Sequence, residues 1–254
     1  MLGPDRQSRI LDLLELDESV PTSRLQEELG VSAMTLWRDL SVLEDKGLLR
    51  RIHGGVLRVG ARGEPRFTAK EVTGRRVKQQ LAAKAAGLFL RPGMSVILEG
   101  GTTVSELVPL LPAGETTLLT NSVPILARVH ATRRPTQTLA SGGILSPISG
   151  NFVGTDAVAF FLGKKVDVFF MSATGIDPVH GITDPNPQEI EVKRAMAAAA
   201  HEVVLLADST KIGRVSLQQI MPWDRITCLV TDGKAPAHLL RALKKVLPRI
   251  ETAG

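Results

Sequence analysis

The chain has a single cysteine, Cys228, among 254 residues. One thiol excludes an internal disulfide and fits a reducing compartment, so a cytoplasmic location is expected. Long hydrophobic runs are missing as well. None approaches the ~20 residues that span a bilayer, and the opening Met1-Leu2-Gly3-Pro4-Asp5-Arg6 has no apolar stretch of the kind a secretory signal carries. No membrane partner is expected. His130, His180, His201 and His238 show no ligand spacing with acids or with Cys228, so neither a metal nor another cofactor is predicted. A Gly-x-Ser-x-Gly elbow is absent, and Cys228 sits inside an apolar stretch, which argues against a nucleophilic enzyme. There is no internal repeat, and the alanine-rich run at 195–200 is simply a strong helix former.

The remaining composition describes a folded protein. Hydrophobic residues make up 43% of the chain, enough for a sizeable core, and the length suggests two domains. Gly60-Ala61-Arg62-Gly63-Glu64-Pro65 is rich in small and breaking residues and marks a boundary. The expected division is a first domain over 1–59, a linker over 60–77 and a second domain over 78–254. The net charge of +5 is unevenly placed. Acids dominate before residue 50. Afterwards Arg50, Arg51, Arg58, Arg62, Arg66, Lys70, Arg75, Arg76, Lys78 and Lys84 face only Glu64 and Glu71. This basic stretch either attracts phosphate or forms a solvated linker and helix face, the latter being favoured for Lys70 to Lys84.

The first domain reads as three helices and a hairpin. Ile10, Leu11, Leu13 and Leu14 recur at helical spacing, giving a helix from about Asp5 to Leu16. Pro21-Thr22-Ser23 starts a second helix with Leu25 and Leu29 buried, and Gly30 ends it. Ser32 caps a third, in which Leu36, Leu40 and Leu43 face inward. Ala33, Met34, Thr35, Trp37, Arg38 and Ser41 share its outward faces. Gly47 stops that helix, and Leu49 to Val59 alternates like a hairpin turning at Gly54-Gly55. Helix, tight turn, helix and basic hairpin in this order form a winged helix-turn-helix, whose usual partner is the DNA major groove. A small helical domain that binds protein or nothing is the blander alternative. The expected DNA-contacting residues are Ser32, Met34, Thr35, Trp37, Arg38, Arg50, Arg51 and His53. Arg38 takes either a guanine edge or a phosphate.

The second domain alternates short apolar runs with helical segments. Strands are expected at 94–98, 117–120, 136–140, 166–171, 203–207 and 225–231. Helices are expected around Leu81–Phe89 and over 104–111, 124–131, 157–162, 189–200 and 236–247. The pattern predicts a mostly parallel, doubly wound sheet, with ligands at the carboxyl ends of its strands. Those ends are polar and glycine-rich: Glu99-Gly100-Gly101-Thr102-Thr103, Thr120-Asn121-Ser122, Ser141-Gly142-Gly143, Ala173-Thr174-Gly175-Ile176-Asp177 and Asp208-Ser209-Thr210-Lys211. Glu189 and Lys193 lie one turn apart on a later helix. Singly, each has a plain explanation: a tight connection, a surface ion pair or a loop cap. Together on one edge they suggest a site for a small, anionic, hydroxyl-rich molecule, with glycine backbone and helix-start amides holding the anion.

These residues also carry a resemblance. Arg38-Asp39-Leu40, Leu43-Glu44, Gly47, Arg51 and His53-Gly54-Gly55 resemble the DNA-binding signature of the DeoR family of bacterial transcriptional regulators, with Trp37 standing where a basic residue is usual. The likeness runs from about Arg6 to Lys245. It implies a sensor domain with the fold of ribose-phosphate isomerases. It also implies an effector site built from Glu99, Gly101, Thr102, Thr103, Thr120, Asn121, Ser122, Gly142, Gly143, Asp177, Glu189, Lys193, Asp208 and Lys211. Glu99 replaces the usual aspartate, and its added methylene would push the carboxylate deeper. The implied function is a repressor of a sugar or polyol catabolic operon, controlled by a phosphorylated sugar-type effector. The implied partners are double-stranded operator DNA and a second copy of the chain, as homodimer or homotetramer. A sugar-phosphate isomerase-like enzyme and a ligand-independent DNA-binding regulator are the alternatives; the helix-turn-helix speaks for regulation.

Overall fold

The computed structural model describes residues 3–16, 19–52, 54–58, 67–72, 74–114, 116–132 and 136–253. The chain divides into two compact units, Met1–Thr73 and Gly74–Gly254. Among the described residues no helix is long and apolar enough to cross a membrane, and no cluster of three or more His, Cys, Asp or Glu side chains could hold a metal ion.

The first unit contains α1 (Gly3–Leu16), β1 (Ser19–Pro21), α2 (Thr22–Leu29), α3 (Ala33–Asp45), β2 (Leu49–Ile52), β3 (Gly55–Arg58) and α4 (Phe67–Val72). Ile10 and Leu14 of α1, Leu25 and Leu29 of α2, and Leu36, Leu40 and Leu43 of α3 make one core. The turn between α2 and α3 follows from two local signals. Gly30 ends α2 in the left-handed region at φ 62°, where a side chain would be strained. The Ser32 hydroxyl then accepts the Thr35 N–H and caps α3. In the wing, β2 and β3 are antiparallel with Ile52 opposite Gly55. Gly55 is therefore a strand residue rather than part of the turn expected at Gly54-Gly55. A third strand, β1, pairs with β3 and was not expected, because three residues carry too little alternation to read. Its backbone also explains Gly55: a Cβ there would lie 2.9 Å from the Val20 carbonyl oxygen.

The second unit begins inside the stretch expected to be linker, with α5 (Arg75–Phe89); α4 is likewise helical. Two charges of α5 are paired locally and a third is buried, while Arg76 is exposed. Arg75 faces Glu106 at 3.9 Å, Lys84 pairs with Glu251 at 3.1 Å, and Lys78 is buried. Arg75 and Lys84 thus lie on a partly paired, partly solvated helix face, as the favoured reading expected.

A seven-stranded sheet follows: β4 (Ser95–Leu98), β5 (Thr117–Thr120), β6 (Gln137–Ala140), then β9 (Val166–Met171), β12 (Ala200–Leu206), β14 (Cys228–Thr231) and β15 (Ile250–Thr252). Between β6 and β9 come a small hairpin, β7 (Ile144–Leu145) and β8 (Phe152–Val153), and α7 (Thr155–Phe161). The sheet order is β15-β14-β12-β9-β4-β5-β6, and every pairing is parallel. Alternate residues serve opposite faces. Ile97, Phe169, Met171, Val203 and Leu205 join one core; Val96, Leu98, Val168, Phe170, Val204 and Leu206 join the other. A sheet buried on both sides requires these continuous apolar runs.

Helices α6 (Val123–Thr132), α8 (Pro187–Ala199) and α9 (Ala237–Leu243) complete the layers. Two expected helices differ. Residues Val104–Leu110 form a 3-10 helix with Pro109 inside it; proline lacks the N–H an α-helix needs. The last helix stops at Leu243 instead of running to 247. A second sheet was not expected: β10 (Gly175–Asp177), β11 (Gly181–Asp184) and β13 (Gln218–Met221), antiparallel in the order β10-β11-β13.

Candidate functional site

Two surfaces carry the predicted residues. The first is the exposed side of α3 with the wing. Burial of Leu36, Leu40 and Leu43 turns Met34, Trp37 and Arg38 outward. Ser32 and Thr35 are tied to each other: their hydroxyls lie 3.0 Å apart and the Thr35 N–H reaches Ser32 Oγ at 3.3 Å. Arg50 is exposed, and His53 lies outside the described residues.

Arg51 is differently placed from the free phosphate contact its charge suggests. Its Nε and backbone N–H both bond the Glu44 carboxylate, its Nη1 reaches Ser41 Oγ at 3.2 Å, and its guanidinium lies 5.1 Å from the Trp37 ring centroid. The Arg51 backbone N–H, helped by the guanidinium, outweighs partial burial and holds the Glu44 carboxyl below its ordinary value. Wing and recognition helix are thus clamped together. Asp39 does a similar job on the other side. Buried on α3, it accepts Arg6 Nε at 2.8 Å and Gln7 Nε2 at 3.3 Å from α1.

The second surface is the carboxyl edge of the parallel sheet. From β4 the chain runs to β5 and β6 on one side, then returns to β9, β12, β14 and β15 on the other. The strand order therefore reverses between β4 and β9, where such sheets open a ligand crevice. A charged cluster sits there. Glu99 follows β4 and Ser172 follows β9; Glu99 Oε2 accepts the Ser172 N–H at 2.7 Å and its hydroxyl at 3.2 Å. Lys193 of α8 donates to Asp184 Oδ2 and to the Ser172 carbonyl oxygen at 3.1 Å, and lies 3.4 Å from Glu99 Oε1. Thr174 Oγ1 donates to the other oxygen of Asp184.

Lys193, Glu99 and Asp184 are all buried. Burial alone would lower the Lys193 pKa, but the Asp184, Glu99 and Glu189 carboxylates outweigh it and raise it. Burial pushes the Glu99 carboxyl up, reinforced by Asp184 and opposed by Lys193 and the Ser172 N–H. More negative groups than positive ones meet here, so a proton or a hydroxyl donor from a ligand would be welcome.

The glycines of the first loop acquire a structural reason. A Cβ on Gly100 would fall 1.7 Å from Asn151 Oδ1, and one on Gly101 would fall 2.1 Å from Ser172 Oγ. The Asn151 amide and the Ser172 hydroxyl occupy space that only glycine leaves. Beside them Thr102 and Thr103 are nearly buried. Ser105 Oγ donates to the Thr102 carbonyl oxygen and accepts Arg128 Nη1 at 2.9 Å, so this loop is braced from behind. The helix-start amides expected here belong to a 3-10 helix.

The other predicted residues divide into two groups. Asn121 is buried; its Nδ2 donates to the Phe152 carbonyl oxygen at 3.0 Å, while Asn121 Oδ1 and Asn151 Oδ1 have no hydrogen-bond partner among the described residues. Unsatisfied buried acceptors ask for a water or a ligand donor. Lys211 closes the turn after Asp208, whose carboxylate caps it through the Thr210 N–H. By contrast, Thr120 and Ser122 are fully buried and serve the loop. Thr120 Oγ1 bonds the Leu98 carbonyl and the Ser122 N–H, and Ser122 Oγ accepts the Ile125 N–H. Gly142 and Gly143 turn the chain after β6 at positive φ. Asp177 Oδ1 accepts the Val179 and His180 N–H groups and faces the His180 ring, closing its own hairpin.

Asp184, Ser172 and Asn151 were not foreseen, and Thr174 was read only as part of its loop. Asp184 carried the clearest signal, just before the Asn186 cap and Pro187 that start the helix of Lys193. Ser172 follows directly on an apolar strand. Nothing local marked Asn151.

Comparison with known proteins matches both units. Residues 6–61 fit the DeoR-like helix-turn-helix domain, and residues 75–233 fit the DeoR C-terminal sensor domain. The HTH-type transcriptional regulator GlpR of Haloferax volcanii is 33% identical over 238 residues, 93% of this chain and 92% of that protein. The transcriptional repressor AccR of Agrobacterium fabrum is 32% identical over 234 residues, 90% and 89% of the two chains. Among solved structures, ribose 5-phosphate isomerase A of Methanocaldococcus jannaschii overlaps 55% of each chain at 16% identity and a TM-score of 0.38. The full-length relatives are named as regulators of transcription, not as enzymes. With a capped recognition helix and wing in one unit and a sensor-domain match over most of the other, the chain belongs to the DeoR family of transcriptional regulators.

Proposed function

We propose that the protein represses a sugar or polyol catabolic operon and is released from, or tightened on, its operator by a phosphorylated sugar-type effector. The observation that carries the effector half is the buried Lys193–Glu99–Asp184 cluster at the point where the strand order reverses. In this reading Thr102, Thr103, Asn121 and Lys211 hold the phosphate. Glu189, Lys193 and Asp177 read hydroxyls or a carbonyl, and Asp184 and Glu99 hold the charge on Lys193. Repression is the activity named for the AccR relative. Two-fold operators suit two-fold proteins, so the working form is a homodimer or homotetramer in the cytoplasm. To move operator occupancy strongly, the effector must favour one state by several kcal/mol.

A thermal-shift screen of the full chain tests this, using sugar phosphates, unphosphorylated sugars and polyol phosphates in parallel. A compound at a hundredfold excess over its dissociation constant stabilises the fold by about 2.7 kcal/mol. Stabilisation by one phosphorylated compound, lost in Lys211→Ala, supports the reading. A screen in which no phosphorylated compound shifts the melt overturns the effector half and leaves a ligand-independent regulator.

A further inference from the structure

We propose that Met34 and Trp37 read the 5-methyl groups of thymines in the major groove, with Arg51 as the positioning residue for Trp37. The inference rests on the DNA-binding reading and adds what the head selects for.

Three observations carry it. Met34 is 71% exposed and Trp37 51% exposed, and they stand three residues apart on the capped N-terminal half of α3, the part of such a helix that meets base edges. Second, the polar side chains around them are already engaged. Thr35 is turned back to Ser32, Ser41 accepts Arg51, and Asp39 is buried against α1. Arg38 is the charged neighbour left exposed on this face. Third, Trp37 is held in place. Arg51 lies over the indole, and Arg51 is itself held through both oxygens of Glu44. A large apolar ring fixed beside the wing loses little freedom on binding.

The chemistry of the groove then names the target. Each base pair shows its own pattern there, and the thymine methyl is the one apolar feature on offer. Phosphates attract cations without regard to sequence; a thioether offers them nothing, and an indole only its one N–H.

The test uses the full-length chain and a randomised duplex pool. Enriched duplexes are titrated after replacing single thymines by deoxyuridine, which removes only the methyl. Loss of one buried methyl should weaken binding about fourfold at particular thymines. Met34→Ala and Trp37→Ala should each abolish the penalty at their own thymine. They should leave the salt dependence unchanged, because no phosphate contact is lost. Arg51→Ala should blunt the effect at the Trp37 thymine only. An enriched duplex indifferent to every deoxyuridine overturns the proposal and leaves DNA binding standing. Failure to enrich any duplex overturns both.

Discussion

On the recognition helix Met34, Trp37 and Arg38 stand open to solvent, with only Trp37 steadied by Arg51. On the sheet edge Lys193, Glu99 and Asp184 are buried and bonded to one another. In the proposed function the difference follows from the two partners. DNA is large and carries its pattern on its surface, so the protein can present a finished face and wait. A small ligand contributes few atoms and must alter what is already there. A cluster in which Lys193 is shared among Asp184, Glu99 and the field of Glu189 is held by balance, and a ligand that redistributes those charges changes the energy of the unit around it. That differential is what a sensor needs.

The largest effect should come from removing the shared cation. Lys193→Met leaves buried carboxylates without a countercharge and should destabilise the sensor unit by about 3–5 kcal/mol, read as an earlier unfolding transition in denaturant. A normal transition would mean that the cluster is not balanced as described. On the DNA side, Arg38→Ala should cost about 1–3 kcal/mol of operator affinity if it reads a base, with no change in melting. Equal loss on specific and random duplexes would reassign Arg38 to a phosphate.

The smallest effect is in pH, and it has opposite signs in the two units. The Glu44 pKa is lowered on folding, so its contribution is present above the ordinary value of 4.5 and lost as pH falls through the folded value. The stability difference between wild type and Glu44→Gln should therefore shrink on acidification. The Glu99 pKa is raised, so the folded state holds that proton more tightly than the unfolded chain. The stability of wild type relative to Glu99→Gln should fall as pH rises from 4.5 through the raised value. Parallel pH profiles for the two pairs would erase the contrast drawn above.

The DNA-reading head was legible because its signals are local. Ser32 caps the helix that begins beside it, Gly30 ends the one before, and Leu36, Leu40 and Leu43 repeat within a few turns. The parallel strands were legible for a related reason: strands buried on both faces become short apolar runs. The antiparallel sheet of β10, β11 and β13 was not, since its strands are three or four residues long and one arrives from far along the chain. Val104–Leu110 had helical spacing, yet Pro109 and the braced loop before it selected a 3-10 turn.

The candidate site shows the same division residue by residue. Its loops were visible as polar, glycine-rich punctuation after each strand, and Lys193 stood out beside Glu189. Gly100 and Gly101 were expected to admit a ligand's close approach; their immediate neighbours are Asn151 and Ser172. Thr120 and Ser122 had the right chemistry but are buried in the loop's own hydrogen bonds.

By itself, then, the sequence determined the two-unit plan, the family, the capped recognition helix and the polar loops at the strand ends, because propensity, capping and periodicity act over a few residues. Only the tertiary structure decided that Lys193 belongs to Asp184 and Glu99, that Arg51 holds Trp37 instead of standing free, and that Thr120 is engaged in the loop's own hydrogen bonds. Those pairings join residues from different strands and helices. Their partners are chosen by packing and by the cost of burying a charge alone, neither of which is written in local spacing.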